Sequence, residues 1–325
     1  MGPSQTMPSR RTIETAVALA CRAPSLYNSQ PWRWVLGSQD LSLFSDPDRI
    51  LPATDAFGRQ MVLSCGAALN HLRYAFASLR WTSVIDRLPH SQGRQCLATI
   101  GLAPAQDVSD TDDRMATAIT RRRTERLPMD PPGRWDQTFA QVTELAAQSG
   151  THLEDIGEHG RPELEAMSRR LSGLRRADPV YQAELRWWAG HSLYPEGIPA
   201  EALPAARHRT VAVEREFPPG NVTSDTGNED DRAAILLLST PSDSRLDWVR
   251  CGEALSAVLL ACTDRGLATC TVTHLTESGA VRTALRELSD GDGLPQVLVR
   301  VGRSTRPAPT TAVSRRPLSE ILFRE

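Results

Sequence analysis

Two hydrophobic spacings alternate along this chain of 325 residues. Apolar residues recurring at i, i+3, i+4 and i+7, as in the run that begins at Leu255, predict amphipathic helices. Short apolar runs bounded by Gly, Pro, Asp or Ser predict strands. Helices are predicted over residues 13–21, 66–79, 115–120, 162–174 and 252–264, and strands over residues 33–36, 41–44, 82–88, 96–102, 233–239, 269–275 and 296–302. Helices that cover the faces of one mixed sheet give an α+β fold.

A short repeat indicates that the chain contains two related halves. The pentapeptide CGAAL at residues 65–69 returns as CGEAL at residues 251–255, an offset of 186 residues. Each copy is predicted to open a helix, and each is followed by a strand, a helix or loop, and a second strand. This order favours an ancient duplication over a chance match.

A polar loop between Pro24 and Pro31 contains chemically informative side chains. Pro24 follows a predicted helix and Pro31 precedes a predicted strand, so neither element continues through the loop. Ser25, Asn28 and Gln30 place a hydroxyl and two carboxamides close to two tryptophans, which suits the edge of a flat heteroaromatic ligand. The same side chains could instead satisfy backbone groups at a turn. The residues alone leave both interpretations open.

The pattern Ala-Pro-Ser-x-x-Asn-x-Gln-Pro-Trp over residues 23–32 resembles the flavin-contacting loop of the nitroreductase superfamily. The longer stretch, residues 21–34, is similar to the single-chain actinobacterial Acg-type NAD(P)H nitroreductases. The resemblance implies a nitroreductase-like α+β sandwich with FMN as cofactor. It also implies that the isoalloxazine ring contacts the loop through Pro24, Ser25, Asn28 and Gln30.

An arginine-rich segment, RRRTER at residues 121–126, follows the helical run 115–120. Arginines at a helix C-terminus are ordinarily solvated and interact favourably with the helix dipole. The segment also resembles the Arg-x-Ser/Thr-x-Arg motif with which nitroreductases begin their FMN-phosphate site. Forked guanidinium groups and a hydroxyl suit a phosphate dianion. By this resemblance the phosphate-binding residues are Arg122, Arg123, Thr124 and Arg126.

Homodimeric nitroreductases build each flavin site from two protomers, one giving the ring loop and the other the phosphate motif. Here the ring loop lies in the first half of the chain and the phosphate motif in the second. The resemblance therefore implies an intramolecular pseudo-dimer with one complete FMN site and a vestigial second site. We expect the halves to span residues 1–110 and 111–325. The chain is then a monomer by internal duplication, with further dimerisation left open.

Two later segments also match the family. Residues 266–274 resemble the Gly-Leu-Gly-Ser strand and loop beside the pyrimidine ring of FMN, which makes Thr273 and His274 candidates. His274 could equally be a structural histidine held by hydrogen bonds. Near the C-terminus, Arg315 and Arg316 resemble a late basic motif that closes on the phosphate, or they could form an exposed basic tail.

Residues 190–232 form a loop-rich insertion rich in Gly, Pro and polar residues. An insertion of this kind is typical of a lid, a partner-binding arm or a disordered loop. The single-chain nitroreductases carry an extra segment over their flavin, so the resemblance favours a lid.

Composition excludes several other classes. The net charge of −2 and the pI near 6.4 argue against a nucleic-acid partner. No segment has the apolar length of a signal peptide or membrane span, so we expect a cytoplasmic protein without a membrane partner. The chain has no lysine, which excludes Schiff-base chemistry. Its six cysteines lack zinc-site spacing, and we expect no metal.

The implied chemistry is hydride transfer from NAD(P)H through FMN to a small nitro- or quinone-type electron acceptor, in ping-pong order and with weak turnover. Family members commonly place a cation beside flavin N1, and in this lysine-free chain Arg126 is the candidate. No side-chain acid or base is expected in the first half-reaction. Two alternatives stay open: a protein that stores FMN beneath its lid, and a structural pseudo-dimer without a cofactor.

Overall fold

A computed structural model describes residues 7–90, 93–190, 196–206, 211–223, 230–306 and 313–325. Within the predicted lid, residues 191–195, 207–210 and 224–229 lie outside the described residues. The described chain contains α-helices and two β-sheets, which confirms the predicted α+β class. The prediction of a single mixed sheet was wrong, because the strands within residues 32–104 form one sheet with the strand at residues 322–324, and the strands within residues 129–304 form another.

The first sheet contains the predicted hairpin. Its strands are β1 (Trp32–Leu36), β2 (Asp40–Ser45), β3 (Trp81–Arg87), β4 (Cys96–Pro104) and the C-terminal β10 (Leu322–Arg324), in the order β10-β1-β2-β4-β3. Helices α1 (Arg10–Ala20) and α2 (Arg59–Ser78) belong to the same half. Strand β10 pairs in parallel with β1, so the end of the chain completes the sheet of the first half. The boundary at residue 110 stays a prediction.

The second sheet has the order β5-β9-β7-β6, with β8 also paired to β9. Its strands are β5 (Met129–Asp130), β6 (His152–Asp155), β7 (Ala234–Thr240), β8 (Ala268–Val272) and β9 (Leu294–Ser304). The accompanying helices are α3 (Asp110–Arg121), α4 (Trp135–Gln148), α5 (Gly157–Arg176), α6 (Pro179–Trp188), α7 (Arg245–Asp264), α8 (His274–Glu277) and α9 (Gly279–Leu288).

Helices α2 and α7 form the centre of the molecule. Each has 20 residues, and their bounds differ by the same 186 positions as the repeat. Most residues of both helices are buried, including polar ones such as His71 of α2 and Glu253 of α7, as expected for helices that are covered on nearly every side. The core of the first sheet packs on α2, and that of the second packs on α7. The arrangement supports the duplication inferred from the sequence.

Two predicted boundaries were wrong for identifiable reasons. The repeated pentapeptide does not open its helices, because α2 and α7 each begin six residues before it and its glycine lies where the two helices meet. The strand predicted over residues 269–275 ends at Val272. Thr273 then adopts a helical backbone conformation, and α8 begins at His274. The β-branched residues between Thr269 and Thr273 predicted a longer strand than the chain forms.

Candidate functional site

The loop between α1 and β1 has an unusual backbone. Tyr27, Asn28 and Gln30 have positive φ angles of 53°, 55° and 51°. Three such residues in one loop indicate stored strain, which concentrates at binding sites. The hydroxyl of Ser25 accepts a hydrogen bond from the backbone N–H of Gln30 at 3.0 Å and closes the loop on itself.

The side-chain amides of this loop bind backbone groups of distant segments. Asn28 Nδ2 donates to the carbonyl oxygens of Gly197 at 2.9 Å and Ser314 at 3.3 Å. The Oε1 atom of Gln30 accepts from the backbone N–H of Arg316 at 2.9 Å. These two side chains therefore satisfy backbone groups, as one interpretation of the sequence predicted, but these groups belong to distant segments. They also hold the insertion and the C-terminal segment against the loop.

A cavity lies beside this loop and is lined by residues of both predicted halves. Of the predicted site residues, Pro24, Ser25, Thr124 and Arg126 lie in its wall, together with Thr273 and His274. The wall also includes residues that the sequence analysis missed: Gln60, Leu63 and Ser64 of α2, Leu255 of α7, and Ile198, Glu214, Arg215 and Phe217 of the insertion. We call this space the central cavity.

Strand β8 fixes the arginine motif at the cavity. Thr124 forms a parallel bridge with Thr269, and the backbone N–H of Glu125 donates to the carbonyl of Thr269 at 2.8 Å. This pairing places Thr124 and Arg126 in the cavity wall. Arg122 is buried instead, and Arg123 is exposed outside the described cavity wall.

Three arginines meet behind the motif. The Nη2 atoms of Arg122 and Arg315 both donate to the carbonyl oxygen of Arg22, at 3.4 Å and 3.2 Å. Burial and the neighbouring guanidinium groups lower the pKa of Arg122 to about 9 and that of Arg315 to about 10. Within the described ranges no carboxylate pairs with any of the three, and Arg122 Nε has no hydrogen-bond partner.

Positive charge that is buried without a counter-ion fits an anionic ligand. Arg122 and Arg315 carry forked guanidinium donors, and Thr124, two positions after Arg122, carries a hydroxyl in the cavity wall; both kinds of group can bind a phosphate. Arg316 is less suited to this role. Its guanidinium lies 3.7 Å from Asp46 and 3.4 Å from Glu320, so its charge is already compensated. Arg22 had no motif signal in the sequence.

Arg126 contacts three residues of the insertion. Its Nη1 donates to the carbonyl of Ala202 at 3.1 Å, and its guanidinium lies 5.4 Å from the ring centre of Phe217. Its Nε lies 4.0 Å from the carboxylate of Glu214. Its predicted place beside flavin N1 stays a prediction.

Residues 211–218, which we call the strap, cover one side of the central cavity. Arg215 of the strap donates to the hydroxyl of Tyr181, to Thr273 Oγ1 at 3.0 Å and to the carboxylate of Glu277. Its guanidinium also lies 4.9 Å from the ring centre of Tyr27. These contacts hold the strap on the cavity. Apart from its place in the insertion, Arg215 has no motif signal in the sequence.

His274 stands at the inner wall of the cavity. Its Nε2 makes a 2.9 Å hydrogen bond with Ser168 Oγ, while Nδ1 has no partner among the described groups. Burial, assisted by the charge of Arg215, lowers the pKa of His274 to about 3. The imidazole is therefore neutral at physiological pH and offers hydrogen bonding without charge.

The described residues contain no cluster of three or more His, Cys, Asp or Glu suited to a metal ion. None of the described helices is long and apolar enough to cross a membrane.

No protein-family model matches this chain. It is 42% identical over 322 residues to "Putative NAD(P)H nitroreductase acg" of Mycobacterium tuberculosis, covering 97% of this chain and 96% of that protein. It is 38% identical over 323 residues to "Putative NAD(P)H nitroreductase Rv3131" of the same organism, covering 97% and 92%.

Similar solved structures include the FMN-dependent nitroreductase NfnB of Mycobacterium smegmatis in complex with NADPH. It is 18% identical with a TM-score of 0.42, covering 65% of this chain and 97% of that chain. A nitroreductase of Bacteroides fragilis with bound FMN is 15% identical with a TM-score of 0.40, covering 62% and 94%.

Proposed function

Because this chain belongs to the nitroreductase family that includes the acg protein of Mycobacterium tuberculosis, we propose that it is a flavin-dependent oxidoreductase with one FMN in its central cavity. The observation that carries the proposal is the pair formed by buried Arg122 and half-buried Arg315, which share the carbonyl oxygen of Arg22 and have no carboxylate partner among the described residues. Thr124, two positions after Arg122, lies in the cavity wall. Two guanidinium groups without a counter-ion gain much from a phosphate dianion.

The proposed contacts divide between the two ends of the cofactor. The phosphate is held by Arg122, Thr124, Arg126 and Arg315, with Arg22 behind them, and Arg123 and Arg316 contribute at most from the outside. The ring lies against the strained loop and α8, where Pro24, Ser25, Thr273 and His274 line the cavity. Asn28 and Gln30 lie in the same loop but are not among the described residues of the cavity wall, and their amides bind Gly197, Ser314 and Arg316, so we propose that they hold the loop in shape for the ring.

When bound, FMN supplies the redox chemistry by taking a hydride from NAD(P)H and passing it to a nitro- or quinone-type acceptor. The protein supplies position and charge. Arg126 stabilises negative charge that develops on the flavin, and neutral His274 donates or accepts a hydrogen bond without opposing that charge. We propose weak turnover, since the strap covers a face that the nicotinamide must reach.

The repeat-related helices α2 and α7, with one set of cofactor motifs across them, support an intramolecular pseudo-dimer of halves 1–110 and 111–325. We propose that the insertion 190–232 is the lid of its single site. The protein is then a cytoplasmic monomer that needs no second chain to complete the site.

A second candidate function is storage of FMN. Phe217 packs edge-on against Tyr27 with ring centres 6.1 Å apart, and Ile198 and Arg215 line the same side of the cavity. A fixed cover of this kind would exclude the nicotinamide, whose reacting carbon must come within about 3.5 Å of the flavin.

Anaerobic visible spectroscopy of the FMN-loaded protein separates the two functions. Rapid bleaching by NADPH supports the oxidoreductase. Bleaching by the small reductant dithionite, with none by NADPH, supports storage. A protein that binds no FMN after reconstitution would contradict both.

A further inference from the structure

The strap inserts a carboxylate into the central cavity. Among the described residues of the cavity wall, Glu214 alone carries an acidic side chain. Its side chain is 11% exposed, so the carboxyl group is largely removed from water. The neighbouring Arg215 points to the other side, toward Tyr181 and Glu277, and does not pair with Glu214 in the described contacts. In the described contacts, the Glu214 carboxylate therefore has no ion-pair partner within the strap.

Glu214 is loosely bound by the groups around it. Arg126 Nε lies 4.0 Å from its carboxylate, Arg300 Nη1 lies 3.6 Å away, and Cys270 Sγ donates at 3.7 Å. Arg300 is already paired with Asp231 through two hydrogen bonds of 2.9 Å and 2.7 Å. Arg169 and Arg176 of α5 also share a second pocket with Glu214. In the described contacts none of these charged or titratable groups makes a short hydrogen bond with the Glu214 carboxylate. Burial therefore dominates and raises the pKa of Glu214 to about 7.

The protonation state of Glu214 changes the net charge that an anion meets in the central cavity. When ionised, Glu214 partly cancels the charge of Arg126 and repels a second negative group in the same space. When protonated, it leaves Arg126 available to the ligand. An anionic flavin and an ionised Glu214 therefore compete for one cation.

We propose that Glu214 is a specificity-determining residue of the flavin site, so that an anionic flavin binds beside Arg126 together with a proton taken up by the Glu214 carboxyl group. The inference rests on the proposed function, since it takes FMN as the ligand of the central cavity. It concerns how the chain's own acid controls that ligand's affinity.

The sign of the pH effect follows from proton uptake. Above pH 7 the flavin-free protein must gain a proton to bind FMN, so affinity falls as pH rises, by up to about tenfold per pH unit. Full coupling gives a dissociation constant about thirtyfold larger at pH 8.5 than at pH 6. The phosphate of FMN ionises near pH 6 and acts in the opposite direction, equally in every variant.

The test is the FMN dissociation constant, measured by quenching of flavin fluorescence from pH 6 to pH 8.5. Three proteins are compared: wild type, Glu214→Gln and Glu216→Gln. Glu216 is the matched control, because it lies in the same strap but pairs with Arg176 at 2.8 Å on the surface. Wild type and E216Q should weaken at least tenfold over this range, whereas E214Q should change less than threefold and bind FMN more tightly than wild type at pH 8.5.

Equal pH dependence in wild type and E214Q would overturn this proposal and leave the proposed function standing. Absence of FMN binding in all three proteins at every pH would overturn the proposed function and this proposal with it. If E214Q does not fold, NMR of wild type with labelled glutamate carboxyl carbons decides. The Glu214 signal should titrate near pH 7 without flavin and at higher pH with it, and an unchanged titration overturns the proposal.

Discussion

Gly66 of α2 and Gly252 of α7 face each other where the central helices cross. A Cβ atom built on Gly66 would lie 3.0 Å from the Cα of Gly252 and would overlap the carbonyl oxygen of Val249. A Cβ on Gly252 would lie 2.9 Å from the Cα of Gly66 and would overlap the carbonyl oxygen of Leu63. Leu63 and Val249 are themselves 186 residues apart. The contact is therefore two-fold symmetric, and each glycine fits beneath the equivalent carbonyl of the other helix.

The first prediction concerns this crossing. Gly66→Ala should destabilise the protein by about 2 to 3 kcal/mol, because the added methyl group meets backbone that cannot move aside. The free energy of unfolding is measured in urea. Gly173→Ala is the matched control, since Gly173 lies on α5 with nothing within 4 Å of a built Cβ and alanine favours the helix by up to about 1 kcal/mol. Equal effects of the two substitutions would contradict the close crossing.

The crossing shows what the sequence could and could not reveal about the fold. The repeat, the hairpin and the main helices follow from spacing, because each depends on local patterns of apolar residues. The role of Gly66 does not, since a glycine inside a helix is as compatible with a helix end as with close packing. The parallel pairing of β10 with β1 was also missed, because three residues at the chain end carry no signal of their distant partner.

The second prediction tests the phosphate site. Arg122→Ala should weaken FMN binding by about 1.5 to 3 kcal/mol, the scale of one charge-assisted hydrogen bond, and leave riboflavin binding almost unchanged. Both affinities are measured by flavin fluorescence. Arg121→Ala is the control, because Arg121 is half exposed and pairs with Asp264 at 3.5 Å. Equal losses for FMN and riboflavin would mean that Arg122 acts on the fold.

The third prediction tests the strap. The double substitution Arg215→Met and Glu277→Gln removes the buried ion pair that anchors it, while keeping similar volumes. Bound flavin should then be reduced by NADPH at least tenfold faster, with no change in reduction by dithionite, as followed by stopped-flow absorbance. Replacing the surface pair that joins the strap to α5, Arg176→Met with Glu216→Gln, is the control. An unaltered NADPH rate in the first variant would rule out the strap as the barrier.

Only part of the candidate site could be predicted from the sequence, namely the residues that belong to a motif with fixed spacing. Loop and motif residues such as Ser25 and Arg122 stand at fixed spacings that resemble a family pattern. Arg22, Glu214 and Arg215 act through contacts across the fold, and no spacing connects them to the motifs. Arg316 shows the converse, because its motif position is correct but its neighbours Asp46 and Glu320 compensate its charge.

The fourth prediction is a pH dependence of stability. His274 has a pKa of about 3 in the folded protein and about 6.5 when unfolded, so the unfolded state binds one more proton between these values. The stability contribution is present above pH 6.5 and is lost as pH falls toward 3. The free energy of unfolding is measured in urea from pH 6 to pH 4. In wild type it should fall by about 1.4 kcal/mol per pH unit more than in His274→Gln. His152→Gln, at an exposed histidine, should retain the wild-type slope.

The number of flavins per chain tests the central claim most directly. The purified protein is saturated with FMN, freed of excess ligand and denatured, and the released FMN is counted against polypeptide. One complete site between two halves predicts one FMN per chain. Two FMN per chain, or none, would contradict a single flavin site built from both halves.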